Sequence, residues 1–411
     1  MSRVVPVGCA MMRRFLTGAL LILQARSLDV CIGQDYWSVR NYTAAFGPPR
    51  AVMSYASIGN LSGLWSGTDY GSGVEHADRL LADMPDDTAL QLGLELKGFE
   101  RPLAAGDLDG NVDALRAYVR RLAPRKVFVR IGYEFDNPGN EYVPLAFVPA
   151  YARVAAALGG EPNAVRVWHS WAFEPWEAAG VDGVAAWFPG VEHVDWCGVS
   201  VFQQAYGDSE LGDLSYAHAF ADFCDARGLP LMIAESAPFG AGVAEPRDTL
   251  WRRWFAPTLA FARKRDVKMW SYIDSDWDAQ PMWRGEGWGD TRLETDDALA
   301  ERWRADVLGE YRNATFAFYA RKPPARVAAS APFKMAYVPV LVVVVLALLV
   351  PATDAVRARR AAFPVALADD DDAGFLGDDA GPPPPPPFVL MSPEATGIVM
   401  SRSFLTKDFA V

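Results

Sequence analysis

The sequence predicts an α/β fold, a (β/α)8 TIM barrel, on three observations. Apolar runs of strand length recur eight times between Asp29 and Asp274. Amphipathic stretches, with apolar residues three and four apart, fill most of the gaps between them. Polar and charged residues collect at the C-terminal ends of the runs, the end at which such a barrel carries its function. A doubly wound open sheet is the alternative, but no Gly-rich phosphate loop follows the first run.

The strands are expected at residues 29–35, 51–57, 89–96, 126–134, 164–171, 195–202, 229–236 and 267–274. The fourth, "KVFVRIGYE", is almost unbroken in β-branched and aromatic residues, the pattern of a strand buried on both faces. Helices are expected over 74–84, 110–123, 144–158, 216–228, 249–265 and 296–311. The gaps at 36–50 and 172–190 lack periodicity and are expected to hold at most a turn of helix.

The flanks predict a membrane topology. Arg13 and Arg14 precede "FLTGALLILQA", with Ala25 and Ser27 at the small-residue positions, so residues 1–27 read as a secretory signal. An uncleaved anchor is the alternative. The barrel domain is assigned to 28–320 and a juxtamembrane linker to 321–334. Met335 to Ala352 holds no charged residue and reaches roughly 27 Å as a helix, a transmembrane length. Residues 353–411 read as a disordered, acidic and Pro-rich cytoplasmic tail. Its "GPPPPPPF" suits either a polyproline-binding adaptor or a stiff spacer. The sequons at Asn41, Asn60 and Asn313 all precede the span. The expectation is a single-pass membrane protein of the secretory pathway or cell surface, its barrel extracellular or lumenal.

Composition narrows the partners. A net charge of −12 without a basic stripe excludes nucleic acid. The 14 Trp, 14 Tyr and 22 Phe suit sugar faces as well as a core. After removal of the signal, Cys31, Cys197 and Cys224 remain; a Cys197–Cys224 disulfide and buried free thiols are both open. No metal-ligand spacing occurs, and neither metal nor organic cofactor is expected. His76, His193 and His218 read as surface or structural residues.

The strand ends carry the chemistry. Glu134 closes strand four and Glu235 closes strand seven. Strands three apart in an eight-strand ring face one another across the mouth. Two facing carboxyls about 5–5.5 Å apart are what a retaining glycosidase needs, one as acid/base and one as nucleophile. Strand alternation puts Arg130 on the side of Glu134, beneath the carboxylates. Tyr133, Trp168, His169, Phe202, Tyr206, Tyr272 and Trp277 are, with Arg130, the further candidates for a sugar cleft, with Trp171, Trp283 and Trp288 as additional aromatic walls.

These motifs resemble glycoside hydrolase clan A, and in detail family 26, the β-mannanase family. "RIGYE" is similar to its Arg-x-x-His-Glu on strand four, "FPGVEHVDWCGVSVF" to its run into strand six, and "LPLMIAES" to its strand seven. The resemblance spans roughly 29–312. It implies Glu134 as acid/base, Glu235 as nucleophile, and a β-linked polysaccharide, with mannan favoured, as substrate. Tyr133 stands where the family has His, and Phe202 at or near its strand-six Tyr, for which Tyr206 is the substitute. Such departures mark a divergent branch. The rival expectation is a membrane-anchored, carbohydrate-binding pseudoenzyme or wall-sensing receptor.

Overall fold

Eight parallel strands pair edge to edge until the last returns to the first. The computed structural model describes residues 28–71, 73–173, 183–203, 214–240 and 246–311. The barrel strands are β1 (Asp29–Gly33), β2 (Ala51–Ser57), β3 (Ala89–Glu95) and β4 (Val127–Ile131), then β5 (Ala164–Ser170), β6 (Trp196–Val201), β7 (Leu231–Ser236) and β8 (Met269–Ile273). Each pairs with its sequence neighbour, and β1 pairs with β8. All eight sequence expectations fall on these strands, most running a residue or two long at the ends. The signal (1–27), the end of the assigned barrel domain (312–320), the linker (321–334), the span (335–352) and the tail (353–411) lie outside the described residues. Among the described residues no helix is long and apolar enough to cross a membrane.

Alternation divides the core in two. One set of side chains points into the barrel, including Cys31, Met53, Phe128, Val167 and Met232. The larger set, including Ile32, Val129, Trp168, Cys197 and Ile233, packs outward beneath the helices. Cys197 of β6 points outward and forms a disulfide with Cys224 of the helix Ser215–Asp225. Cys31 remains a buried free thiol.

The gap at 36–50 departs from expectation. Residues Tyr36–Phe46 form an eleven-residue helix, α1. Its start is fixed locally: Asp35 is the N-cap and accepts the Ser38 N–H at 2.9 Å. Only Ser38, Val39 and Tyr42 of it are buried, so its apolar face is too narrow to stand out as a period.

The predicted 249–265 helix is real but interrupted. Arg247–Leu250 leads into a π turn, Trp251–Phe255, and then Ala256–Lys264. Pro257 in the following turn has no N–H to continue the α ladder, and the extra residue of the π turn absorbs the break. The turn has a use. It delivers the Trp254 indole N–H to the carbonyl of Phe202, 2.6 Å away, pinning the chain where β6 ends.

A buried acid group beside the barrel mouth gives a stability test. Asp274, fully buried after β8, accepts the Leu293 N–H at 2.7 Å, while burial and then the Glu294 carboxyl hold it well above the ordinary carboxylate range. A carboxyl raised in the folded state contributes stability below its unfolded pKa of about 4 and loses it as pH rises. Asp274→Asn keeps the acceptor and removes the charge. It should raise the Tm by a few degrees near pH 7.5 and change it little near pH 4 in thermal unfolding; equal changes at both would contradict this assignment.

Candidate active site

Gly132 and Glu134 both adopt left-handed backbone, at φ +56° and +51°. That conformation is disfavoured for glutamate and must be held from outside. Asn140 does so by donating its amide to the carbonyls of both Tyr133 (2.9 Å) and Glu134 (3.0 Å). The Asn137 N–H also donates to the Glu134 carbonyl, and the Phe135 N–H to that of His169. The strand end thus curls inward and presents the Glu134 carboxyl to the barrel mouth.

On the far side, a register shift between Val199 and Ser200 places Ser200 opposite Glu235. The two glutamates, each 3 % exposed, bring carboxylate oxygens within 4.8 Å of each other and of a His169 ring nitrogen. Carboxyl pairs of retaining glycosidases stand about 5–5.5 Å apart and those of inverting ones about 6.5–9.5 Å.

Beneath them lies Arg130, fully buried, with Nη1 3.2 Å from Glu235 Oε1 in an ion pair. Its guanidinium stacks over Tyr55 and Tyr133, with ring centroids 5.0 and 5.4 Å away. Gly93 of β3 makes the room, because a Cβ there would meet Tyr55 Cδ1 at 2.5 Å and Arg130 Nη2 at 2.8 Å. Burial pulls Arg130 down to about 10, which leaves it charged at neutral pH.

Glu134 accepts from Ser200 Oγ (2.5 Å to Oε1) and from Asn137 Nδ2 (2.8 Å to Oε2). His169 Nε2 lies 2.9 Å from Ser200 Oγ, and its Nδ1 lies 3.4 Å from Arg130 Nη1. Burial pushes Glu134 up to about 7, with the Ser200 and Asn137 bonds opposing it. Burial also raises Glu235, to about 8, and the adjacent guanidinium is the group that favours its carboxylate. Burial thus holds both carboxyls above the ordinary range, and it is the Arg130 ion pair, not the order of these two values, that distinguishes Glu235 from Glu134. Glu134, His169 and Glu235 would be a plausible ligand trio for a divalent ion by distance alone. Both His169 nitrogens are already engaged, however, and Arg130 already supplies the positive charge, so these residues do not fit a metal.

Above the pair, Trp171, Phe202, Ile273, Trp277 and Trp288 wall a small cleft whose polar lining is Glu134, Asn137 and Glu235. Trp277 is anchored by its indole N–H on Thr291 Oγ1 (3.0 Å). Trp288 packs between Trp277 and Phe202, with centroids 5.0 and 5.5 Å away, and Trp283 sits edge-on behind them. Asp136 fastens the loop after β5, accepting from Ser170 Oγ, the Trp171 N–H and the Ala172 N–H, which holds Trp171 at the cleft.

The structure thus brings together Glu134, Glu235, Arg130, His169, Phe202 and Trp277. Two candidates are corrected by strand parity. Trp168 neighbours the inward His169 and so points outward, stacked on Phe135 at 4.7 Å beneath the helices. Tyr272, between the inward Ser271 and Ile273, also points outward, against Phe255 and Trp303, and donates its hydroxyl to the Thr291 carbonyl. Tyr133 is a third correction: it is buried in the wall of the Arg130 chamber, edge-on to Tyr55, and does not line the cleft. Tyr206 lies outside the described residues. Ser200, Asn137 and Asn140 were not singled out from sequence. Parity with Gly198 and Phe202 was the available signal for Ser200; short polar side chains after Glu134 gave little for the other two.

A closed (β/α)8 barrel with facing glutamates on strands four and seven is the arrangement of a clan A glycoside hydrolase. No protein-family profile matches the chain. It is 31% identical over 326 residues to the β-1,3-xylanase TXYA of a Vibrio species, an alignment covering 72% of this chain and 68% of that protein. It is 30% identical over 324 residues to a β-1,3-xylanase of an Alcaligenes species, covering 72% of this chain and 66% of the relative. The chain therefore spans about two thirds of the length of these relatives. Among solved structures, a GH26 β-mannanase from Bacteroides ovatus aligns at 11% identity and a TM-score of 0.48, covering 70% of this chain and 91% of that one. The chain belongs to the glycoside hydrolase family of these bacterial β-1,3-xylanases.

Arg130→Met tests the electrostatics of the site. Without the guanidinium, Glu235 is left a buried carboxyl whose folded pKa rises further, so its contribution to stability falls as pH increases. Urea denaturation should show a loss of about 3 kcal/mol near pH 8 and a clearly smaller loss near pH 5. A pH-independent loss would mean that Arg130 acts by packing alone.

Proposed function

We propose that the protein is a retaining, endo-acting glycoside hydrolase of a β-linked polysaccharide. The observation that carries this reading is the pair of buried carboxyls within 4.8 Å, one of them on an arginine. Glu235 attacks the anomeric carbon while Glu134 gives its proton to the departing glycosidic oxygen. Glu134, now a carboxylate, takes a proton from water as that water attacks the same carbon and releases Glu235. Burial suits both halves of the cycle, because an acid held near 7 gives and regains its proton with little bias.

For the substrate we favour a β-1,3-linked xylan over the mannan implied by the sequence motifs. The names of the two relatives support this. The apolar wall that Phe202 and Trp288 make in the cleft beside Glu235 suits a pentose, which lacks a hydroxymethyl group. The pseudoenzyme reading has nothing comparable, since sugar binding alone requires no paired, desolvated carboxyls.

We also retain, as a proposal, a single-pass protein of the secretory pathway with its barrel outside or lumenal and a tail offered to a polyproline-binding adaptor. The disulfide and the exposed sequon residues Asn41 and Asn60 support the compartment. The span and the tail rest on sequence alone.

The purified protein should release xylo-oligosaccharides from β-1,3-xylan and little from β-mannan, β-glucan or β-1,4-xylan. Glu235→Ala should reduce release by at least roughly 10⁴-fold, and Glu134→Ala should slow substrates with poor leaving groups far more than activated aryl glycosides. Reducing-sugar assays and product chromatography measure both. Binding of a glycan without release by the folded wild-type protein would favour the receptor.

A further inference from the structure

The donors running from Arg130 to Glu134 have a fixed direction. Arginine has N–H donors and no acceptor, so Nη1 facing His169 Nδ1 at 3.4 Å requires a lone pair on Nδ1. Burial and the arginine's charge hold His169 well below its ordinary pKa, hence neutral, with its single proton on Nε2. Nε2–H then donates to Ser200 Oγ (2.9 Å), and the hydroxyl proton is directed to Glu134 Oε1 (2.5 Å). All four side chains are buried: Arg130, His169 and Ser200 are fully enclosed and Glu134 is 3 % exposed, so bulk water does not scramble the order.

We propose that Ser200, oriented by His169 and Arg130, is a positioning residue that keeps Oε1 of Glu134 an acceptor and confines its transferable proton to Oε2. The inference rests on the reading of Glu134 as acid/base and adds to it which oxygen does the work. A proton on Oε1 would have to turn the Ser200 hydroxyl away while His169 still donated into it. Oε2 accepts one bond from Asn137, leaving its second site for a proton on the side where Asn137 lines the cleft.

The other charged or titratable groups that face Glu134 are Arg130 from its own strand, Asp136 two residues on, His169 of β5 and Glu235 of β7. Asp136 is tied to Ser170 and to the Trp171 and Ala172 backbone, Arg130 is fixed between two rings, and His169 does not titrate in the working range. Removing the Ser200 hydroxyl therefore perturbs Glu134 first.

The test is a ¹³C NMR titration of carboxyl-labelled glutamates in the wild type, Ser200→Ala and Ser200→Thr, with the Glu134 signal assigned by Glu134→Gln. Loss of a donor to the carboxylate should raise the Glu134 pKa by about one unit in Ser200→Ala, and Thr, which keeps the hydroxyl, should restore it. On a hydrolysed substrate the alkaline limb of kcat/KM should move upward by the same amount while its plateau falls about tenfold or more. An unmoved Glu134 pKa in Ser200→Ala, or an equal shift in Ala and Thr, overturns the proposal. If the protein cleaves no glycan, the hydrolase reading fails and the NMR titration alone still decides the role of Ser200.

Discussion

The pairing of Arg130 with Glu235 is the constraint from which the site follows. A guanidinium taken wholly out of water costs several kcal/mol, and the barrel offsets that cost with one carboxylate and two aromatic faces. Gly93 must leave the space, Tyr55 and Tyr133 must stand on either side, and β7 must carry Glu235 to the same level. With the cation fixed, the imidazole of His169 has one available tautomer, and Ser200 passes that choice to Glu134. Two glutamates in similarly dry surroundings are thereby made different, one beside a cation and one within a donor chain. Pairs of titratable groups set apart by their environments are how one fold supplies an acid and a nucleophile together.

The second constraint is backbone strain at Glu134. A left-handed glutamate after a left-handed glycine is unfavourable by itself, and the bonds from Asn140 and Asn137 compensate. Gly132 has no alternative, since a Cβ would also meet Phe147 Cε2 at 2.6 Å. The curl turns a strand-end residue across the barrel mouth instead of along it. It is this turn that brings the Glu134 carboxyl towards Glu235, and the π turn at Trp251–Phe255 performs a similar service for Phe202 through Trp254.

Much of this was legible in the sequence, and the exceptions have physical causes. The strands were visible because parallel strands buried on both faces read as apolar runs, and the motifs around Arg130, Glu134 and Glu235 gave the chemical centre. Strand parity decides side-chain direction: adjacent residues such as Trp168 and His169 cannot both face the mouth, and parity sends Trp168 to the helix layer. Ser200 was not legible because a small polar residue declares its role only through a neighbour distant in sequence, here through a register shift, and Asn137 because its role depends on the curl of the chain after Glu134. Helix α1 was hidden by its narrow buried face, although Asp35 marked its start.

The stereochemistry of the released sugar tests the central claim most directly, because carboxylate spacing alone determines it. ¹H NMR of the anomeric region during the first minutes of hydrolysis distinguishes the product as formed from its mutarotated mixture. Carboxylates within 4.8 Å predict that the β anomer appears first and the α anomer grows in slowly afterwards. Initial appearance of the α anomer would mean inversion, and would contradict both the double displacement and the roles assigned to Glu134 and Glu235.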